Sequence, residues 1–174
     1  MSKINEKINI KTLVANKNII PDYFDNDIVI IDNIQELAET NTARMEMNTI
    51  AVCLKGKIQG KMGEMELTLS ENQVVICPPN VILTDIMASP DISIKAIFFT
   101  NNILQSFLHE KINLWNDMMY KHKMHTIVIK DSEMGFMQHF YEMLTICIKH
   151  QEHNPYRTEV IQSLLRSAFI GLMG

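Results

Sequence analysis

Between Asn48 and Asn80 the chain alternates short β-favouring runs with turn residues. Thr49 to Leu54 is apolar, Lys55-Gly56-Lys57 can turn, and Met62-Gly63-Glu64 can close a hairpin. From Glu64 to Leu69 the period is two: Met65, Leu67 and Leu69 share one face, and Glu64, Glu66 and Thr68 the other. Ser70-Glu71-Asn72 breaks that run. Val74 to Cys77 reads as a buried strand, stopped by Pro78-Pro79-Asn80. Alternation with regular turn signals predicts a small antiparallel barrel or sandwich.

The flanking pattern extends this reading. Residues 1–26 form a mixed lead-in, in which Ile8 to Val14 is either a strand or a loose arm and Ile19-Ile20-Pro21-Asp22 is a stop. Asp25-Asn26-Asp27 is a turn, Ile28 to Ile31 a strong short strand, and Gln35 to Thr42 a polar loop. Ala43 to Met47, Val81 to Met87 and Ile92 to Phe99 are further strands. In the last of them Ile94, Ala96 and Phe98 face one way, and Ile97 and Phe99 the other.

At Thr100-Asn101-Asn102 the period changes. Ile103, Leu104, Phe107 and Leu108 have helical spacing behind an Asn cap. Residues 109–124 carry no clear period. Thr126 to Ile129 is a short strand, and Asp131-Ser132 caps a helix from about Glu133 to Gln151. That helix carries Phe136, Met137, Phe140, Met143, Leu144, Cys147 and Ile148, an apolar band too wide for a helix covered on one side only. Asn154-Pro155 opens a final helix bearing Val160, Ile161, Leu164, Leu165, Ala168, Phe169 and Leu172. Its band is scarcely closed at Gly174, which predicts that the reading frame continues. The fold class expected is mainly β with C-terminal helices, a single domain of lead-in arm (1–26), barrel (27–100) and helical part (101–174).

Composition narrows the function. The 174 residues are 47% hydrophobic and 21% charged, with a net charge of −4. An acidic chain lacks the basic face that phosphate contacts require, so it is not expected to bind nucleic acid unaided. The three cysteines, Cys53, Cys77 and Cys147, sit in apolar runs without a C-x-x-C spacing and read as buried free thiols. No signal-peptide core and no membrane-length apolar run occurs, so a cytoplasmic setting is expected.

Candidate chemistry is sparse. All six histidines lie in the second half: His109, His122, His125, His139, His150 and His153. The pairs His122/His125 and His150/His153 have the spacing of adjacent metal ligands, but neither has a Cys or carboxylate to complete a site. No G-x-S-x-G, P-loop or G-x-G-x-x-G motif is present. Thirteen methionines suit either an adaptable apolar pocket or ordinary core filling. Arg44, charged among apolar neighbours in a strand, is the candidate ligand anchor.

The barrel half is similar to the cupin fold. The second cupin motif is Gly, five residues, Pro, one residue, Gly, two residues, His. Laid on this chain it puts Asn72 and Asn80 in the glycine places, Pro78 on the proline and Leu83 on the histidine. Asn tolerates the left-handed backbone, so the turns can survive. In the first motif Gly56 takes the glycine and Thr49 the Glu place. The His places fall on Thr42 and Arg44, or on Ala43 and Met45. The resemblance implies a cupin-like jelly roll without its metal ligands and with no cofactor.

The chain from about Asp27 to Gly171 resembles the N-terminal half of AraC-type transcription regulators of the sort common in Bacteroidetes. The likeness is carried by NDIVIID (Asn26 to Asp32), the strand into Lys55-Gly56, ELTLSENQVVICPPN, SPDISIKAIFFTNNIL and NPYRTEVIQSLLRSAF. It implies an effector-sensing and dimerisation domain, with DNA read only by a following helix-turn-helix domain. It implies a homodimer, with Ile161, Leu164, Leu165, Ala168, Phe169 and Leu172 as expected contacts, and an unidentified small-molecule effector. Taking the Leu83 face as inward, Leu83, Asp85 and Met87 line one wall of a pocket, and Met45, Met47, Thr49 and Cys53 another. A one-residue register slip reverses that assignment.

Two other functions are open. A metal-free cupin-like isomerase or lyase would need Glu46, Asp85 or Arg44 as its acid and base, and alternation against Met45 and Met47 turns Glu46 to solvent. A cyclic-nucleotide β-roll is suggested by Gly63-Glu64, but no Arg followed by a small-residue pair comes after it to hold a phosphate.

Overall fold

Two open, mainly antiparallel sheets face each other, with a layer of helices on the outer side of one of them. This is a computed structural model, and it describes residues 6–9, 12, 22–24, 27–32, 42–121 and 126–173. The strands are β1 (Glu6–Ile8), β2 (Asp22–Phe24), β3 (Ile28–Ile31), β4 (Thr42–Met45), β5 (Asn48–Lys55) and β6 (Lys57–Met62). They continue as β7 (Met65–Ser70), β8 (Gln73–Cys77), β9 (Val81–Ala88), β10 (Ser93–Phe99) and β11 (Thr126–Val128). One sheet has the order β1-β4-β9-β6-β7 and the other β11-β8-β5-β10-β3-β2. Within these, β3 to β10 divide as 3-10-5-8 and 4-9-6-7. That is the eight-stranded jelly roll, which an open pair of sheets satisfies without closing into a barrel. The strand β1 adds to the first sheet in parallel, pairing Glu6 with Ala43 and Ile8 with Met45.

The turns use backbone that few residues tolerate. Asn72 and Asn80 lie at φ 63° and 67°, as expected of asparagine in the glycine places. Gly56, at φ 82°, closes the β5–β6 turn. A Cβ there would lie 2.9 Å from Ile92 Cα and 2.5 Å from Ser89 Oγ, so no other residue fits without displacing that loop.

The six-stranded sheet is buried on both faces, which is why β3, Ile28 to Ile31, is apolar without alternation. Its inner face meets the other sheet. Its outer face meets helices α1 (Asn101–Leu108), α2 (Ile112–Asn116), α3 (Asp131–His150) and α4 (Arg157–Met173). Between α1 and α2 lies a 3-10 turn, His109–Lys111, and after α2 a π-helical turn, Asp117–Lys121. These fill the stretch that has no sequence period. Trp115 from this stretch is buried and stacks 4.9 Å from Phe169. Phe169 also lies 5.1 Å from Phe99 and 4.9 Å from Phe107, an aromatic cluster joining β10, α1, α2 and α4.

Helix α4 ties the layer together through two arginines. Arg157 donates to the Cys147 and Ile148 carbonyls at the end of α3. Arg166 donates to the Phe107 and Leu108 carbonyls at the end of α1, at 2.8 and 3.1 Å, and pairs with Glu110 at 2.8 Å. Each cation thus satisfies helix-end carbonyls that have no intrahelical donor.

Local starts differ from the sequence expectation in detail. The cap of α1 is Thr100, whose Oγ1 accepts from the Ile103 N–H at 3.4 Å. Helix α3 begins at Asp131, with the Glu133 carboxylate accepting from the Lys130 N–H at 3.1 Å. Asn154 accepts from the Tyr156 N–H at 2.9 Å, and α4 begins only at Arg157. The turn through Pro155 is therefore an Asx turn ahead of the helix rather than its first turn. Of the expected stop Ile19 to Asp22 and the expected loop Gln35 to Thr42, all but the last residue of each lie outside the described residues, as do His122 and His125; Asp22 opens β2 and Thr42 opens β4.

Four of the six dimer contacts expected on α4 are buried within the chain. Ile161, Leu165, Ala168 and Phe169 are at most 1% exposed and belong to the core beneath the helices. Leu164 and Leu172 are half-buried against the same core. Most of the apolar face of α4 is thus covered within the chain, because the described helices α1 to α4 share the outer face of one sheet.

Candidate functional site

The candidate site is a cavity between the two sheets, of about 100 Å³. It arises from side-chain size. On the inner face of β5 stand Thr49, Ala51 and Cys53. Ala96 of β10, Ala43 of β4 and Cys77 of β8 face the same interior. Larger residues would meet across the gap, whereas these leave part of it unfilled. Thr49, Ala51, Ala43 and Cys77 line the cavity, together with Met45, Leu83 and Ile86 on one side and Ile94, Phe98 and Val75 on the other. Ile58, Met62, Leu67 and Leu69 of the β6–β7 hairpin complete the wall. Gln59, Gly60 and Lys61 also border it. Alternation turns the Gln59 and Lys61 side chains to the outer face of that sheet, and both are exposed.

The wall carries almost no polarity. Burial pushes the Cys77 thiol up to about 12, so it stays protonated, and its Sγ lies 3.6 Å from the Pro78 carbonyl oxygen. Thr49 is 6% exposed, and its Oγ1 is buried with no hydrogen-bond partner. Its neighbour Asn48, on the opposite face of β5, is equally buried but donates to the Phe99 carbonyl at 3.2 Å and to Asn101 Oδ1 at 2.8 Å. Among the described residues these two are the buried polar side chains, and only Thr49 lacks a partner.

The expected pocket residues divide into three groups. Met45, Thr49 and Leu83 line the cavity. Met47 and Cys53 are buried in the same interior without lining it. Arg44, Asp85 and Met87 are exposed, so none of them is an interior group. For Arg44 the cause is plain alternation, since Ala43 and Met45 point inward on either side. For Asp85 and Met87 it is a bulge. Asp85 has φ 53°, and the β6–β9 register jumps from Gln59↔Met87 to Lys61↔Thr84. The inward positions therefore run Leu83 then Ile86, a step of three instead of two. Gly60 opposes the bulge, and a Cβ on it would come within 3.0 Å of the Thr84 carbonyl oxygen.

Ala51, Val75, Cys77, Ile94 and Phe98 were absent from the expected set although strict alternation on β5, β8 and β10 puts them on the lining. Glu46 is exposed, as its alternation with Met45 and Met47 implies. With Glu46, Asp85 and Arg44 all turned outward, the described residues place no carboxylate or imidazole on the wall. Among the described residues no group of three His, Cys, Asp or Glu side chains is arranged to hold a metal ion. The cysteines are free and buried, and no described helix is long and apolar enough to cross a membrane.

No protein-family model matches the sequence, and no curated protein matches it. AraC-like regulators and cupin-domain proteins stand among the solved structures it resembles. Apo ToxT K231A from Vibrio cholerae strain SCE256 aligns with a TM-score of 0.49 at 14% identity, covering 76% of this chain and 49% of that one. The AraC-like transcriptional activator CuxR gives 0.40 at 8% identity, over 87% of this chain and 55% of that one. A cupin-2 domain protein from Shewanella frigidimarina NCIMB 400 gives 0.34 at 14% identity, covering 53% and 99%. The chain spans about half the length of the two regulators it matches. The jelly-roll assignment rests on the strand order given above.

Proposed function

We propose that this chain is the effector-sensing and dimerisation domain of an AraC-type transcription regulator, without enzymatic activity of its own and contacting DNA only through a separate domain. The observation that carries the reading is an apolar cavity, with no acid–base pair on its wall among the described residues, set one strand layer away from the helices. The strands β5 and β10 form both boundaries. Thr49, Ala51, Ile94 and Phe98 face the cavity, while Ile50, Val52, Ile97 and Phe99 of the same strands face the helical core. A ligand that fits one spacing of the sheets better than another shifts the packing beneath α1 and α4, and so the balance between two arrangements of the protein.

In this reading the homodimer forms through α3, not α4. The apolar residues of α3 cover about two thirds of its circumference at ~100° per residue. Met137, Phe140, Leu144, Cys147 and Ile148 are buried, but Phe136, Met143 and Ile146 on the adjoining arc are 52%, 52% and 50% exposed. Of the seven residues in the band inferred from sequence five are covered within the chain, and on this reading Phe136 and Met143, with Ile146 beside them, are left for a partner.

The test is a fusion of residues 1–174 to a DNA-binding domain that occupies its operator only as a dimer. The reading expects repression of a reporter, and loss of that repression on Phe136→Glu with Met143→Glu. A fusion that represses no better than the isolated DNA-binding domain contradicts it.

A further inference from the structure

Where α1 breaks into the 3-10 turn, His109 lies at φ 47° and ψ −115°. The other described non-glycine residues at positive φ are Asn72, Asn80 and Asp85, whose short polar side chains tolerate it. The combination at His109 is that of the first central residue of a type II′ turn, about +60° and −120°, a position that glycine dominates. Such a conformation persists in another residue only where the surroundings over-determine it. His109 is exposed, so packing of its own side chain does not fix the turn.

A single side chain from another helix does. Arg166 of α4 donates to the Phe107 and Leu108 carbonyls, immediately before His109, at 2.8 and 3.1 Å. Its other terminal nitrogen donates to Glu110 Oε1, immediately after His109, at 2.8 Å. The guanidinium thus grips the chain on both sides of the strained residue, and its rigid fork of donors is what lets one side chain span them. What the turn positions is α2 and the π-helical turn after it. Trp115 there is 2% exposed, and Met118 and Met119 are buried with it. A 3-10 turn before α2 and a π turn after it are the irregularities that accompany hinges.

We propose that this junction is a strained hinge latched by Arg166. With the latch closed α2 lies on the aromatic cluster, and with it open α2 moves off and uncovers Trp115. The cavity stands at the other end of the same run of contacts. Phe98 lines it, Phe99 next along β10 lies 6.3 Å from Phe107, and Phe107 carries one of the carbonyls that Arg166 holds. The latched and released forms are the two arrangements between which an effector selects. That use of the hinge rests on the regulator reading above, whereas the hinge itself stands on the geometry.

Trp115 is the one tryptophan of the chain, so its fluorescence reports the hinge without a label. Acrylamide quenching and amide hydrogen exchange are measured on the 174-residue chain in native buffer. Arg166→Met removes the clamp and keeps the apolar stem. It is expected to raise exchange at residues 110–116 about tenfold and to make Trp115 more quenchable, with exchange in β5 and β10 unchanged. His109→Gly removes the strain, and in its background Arg166→Met is expected to have less than about a threefold effect. An arginine that merely stabilises α4 would give the same increase in both backgrounds. Equal effects with and without His109→Gly, exchange raised uniformly along the chain, or an unchanged Trp115 each overturns the hinge. Should Arg166→Met fail to fold, Glu110→Gln, which weakens the grip on one side only, carries the same comparison. The regulator reading fails separately. In the reporter fusion Arg166→Met is expected to change repression and His109→Gly to restore it. A hinge that opens as expected in a fusion that never represses stands without the regulator. A fusion that represses alike in all variants overturns the hinge as its switch.

Discussion

The two faces of the six-stranded sheet are built from the same strands and are packed by opposite rules. Toward the helices, β5 and β10 present Ile50, Val52, Ile97 and Phe99, and the space beyond them is filled by Phe107, Trp115 and Phe169 but for a gap of about 10 Å³ between Ile50, Val52 and Ile97 and the Met137–Tyr141 stretch of α3. Toward the other sheet β5 presents the small residues Thr49, Ala51 and Cys53 and β10 presents Ile94, Ala96 and Phe98, and the space is left partly empty. The polar side chains follow suit. Asn48 on the helix side makes two hydrogen bonds, while Thr49 beside it, on the cavity side, makes none. One face is organised for stability. The other retains a void and an unsatisfied hydroxyl, both of which cost stability in the empty protein. On the proposed reading the loosely filled face gains from occupation by an effector, and the more tightly packed face transmits it.

Substitutions can break this contrast. The largest effect is expected at the aromatic cluster. Phe169→Ala removes a ring in contact with Phe99, Phe107 and Trp115 and should cost about 3–5 kcal/mol, read as a fall in the urea midpoint. Next comes Arg157→Met, which strips the donors from the last carbonyls of α3 and should cost about 1.5–3 kcal/mol in the same measurement. A loss within error at either position would mean that the helical side is not the packed one.

On the cavity side the signs change. Thr49→Val removes a buried hydroxyl that has no partner, and is expected to raise stability by about 1 kcal/mol in the ligand-free protein. Ala51→Leu enters existing space. It should cost less than about 1 kcal/mol, where the same change in a filled core costs about 1–3 kcal/mol. Thermal melts of the four variants side by side sharpen the comparison, since the account requires the two faces to differ in sign or size for comparable changes. The smallest stability effect belongs to the exposed stripe of α3. Phe136→Glu with Met143→Glu should leave the melting temperature nearly unchanged while shifting sedimentation from dimer to monomer.

Much of the fold was legible because most strands of the jelly roll obey period two. The parities read for Met65, Leu67 and Leu69, and for Ile94, Ala96 and Phe98, are those of the folded sheets. Asn72 and Asn80 marked left-handed turns that are present. The site was half legible for the same reason. Leu83 followed from its place on the cupin histidine, and Met45 and Thr49 from alternation, but parity beyond Leu83 was lost at Asp85, because a bulge adds a residue without any apolar signature. The closing helix is a different case. An apolar stripe looks the same in sequence whether its partner is the chain's own sheet or a second copy. Only the folded arrangement shows Ile161, Leu165, Ala168 and Phe169 buried at home while Phe136, Met143 and Ile146 are left outside.

The central claim is that the interior between the sheets is an open apolar site and the helical core is not. Diffraction from crystals of this chain under xenon pressure tests it most directly, because xenon enters apolar voids without needing a hydrogen bond. The account predicts xenon between the sheets, against Ala51, Ile58 and Leu69, and none within the cluster of Phe99, Phe107, Trp115 and Phe169. No xenon between the sheets, or xenon in the aromatic cluster instead, would contradict it.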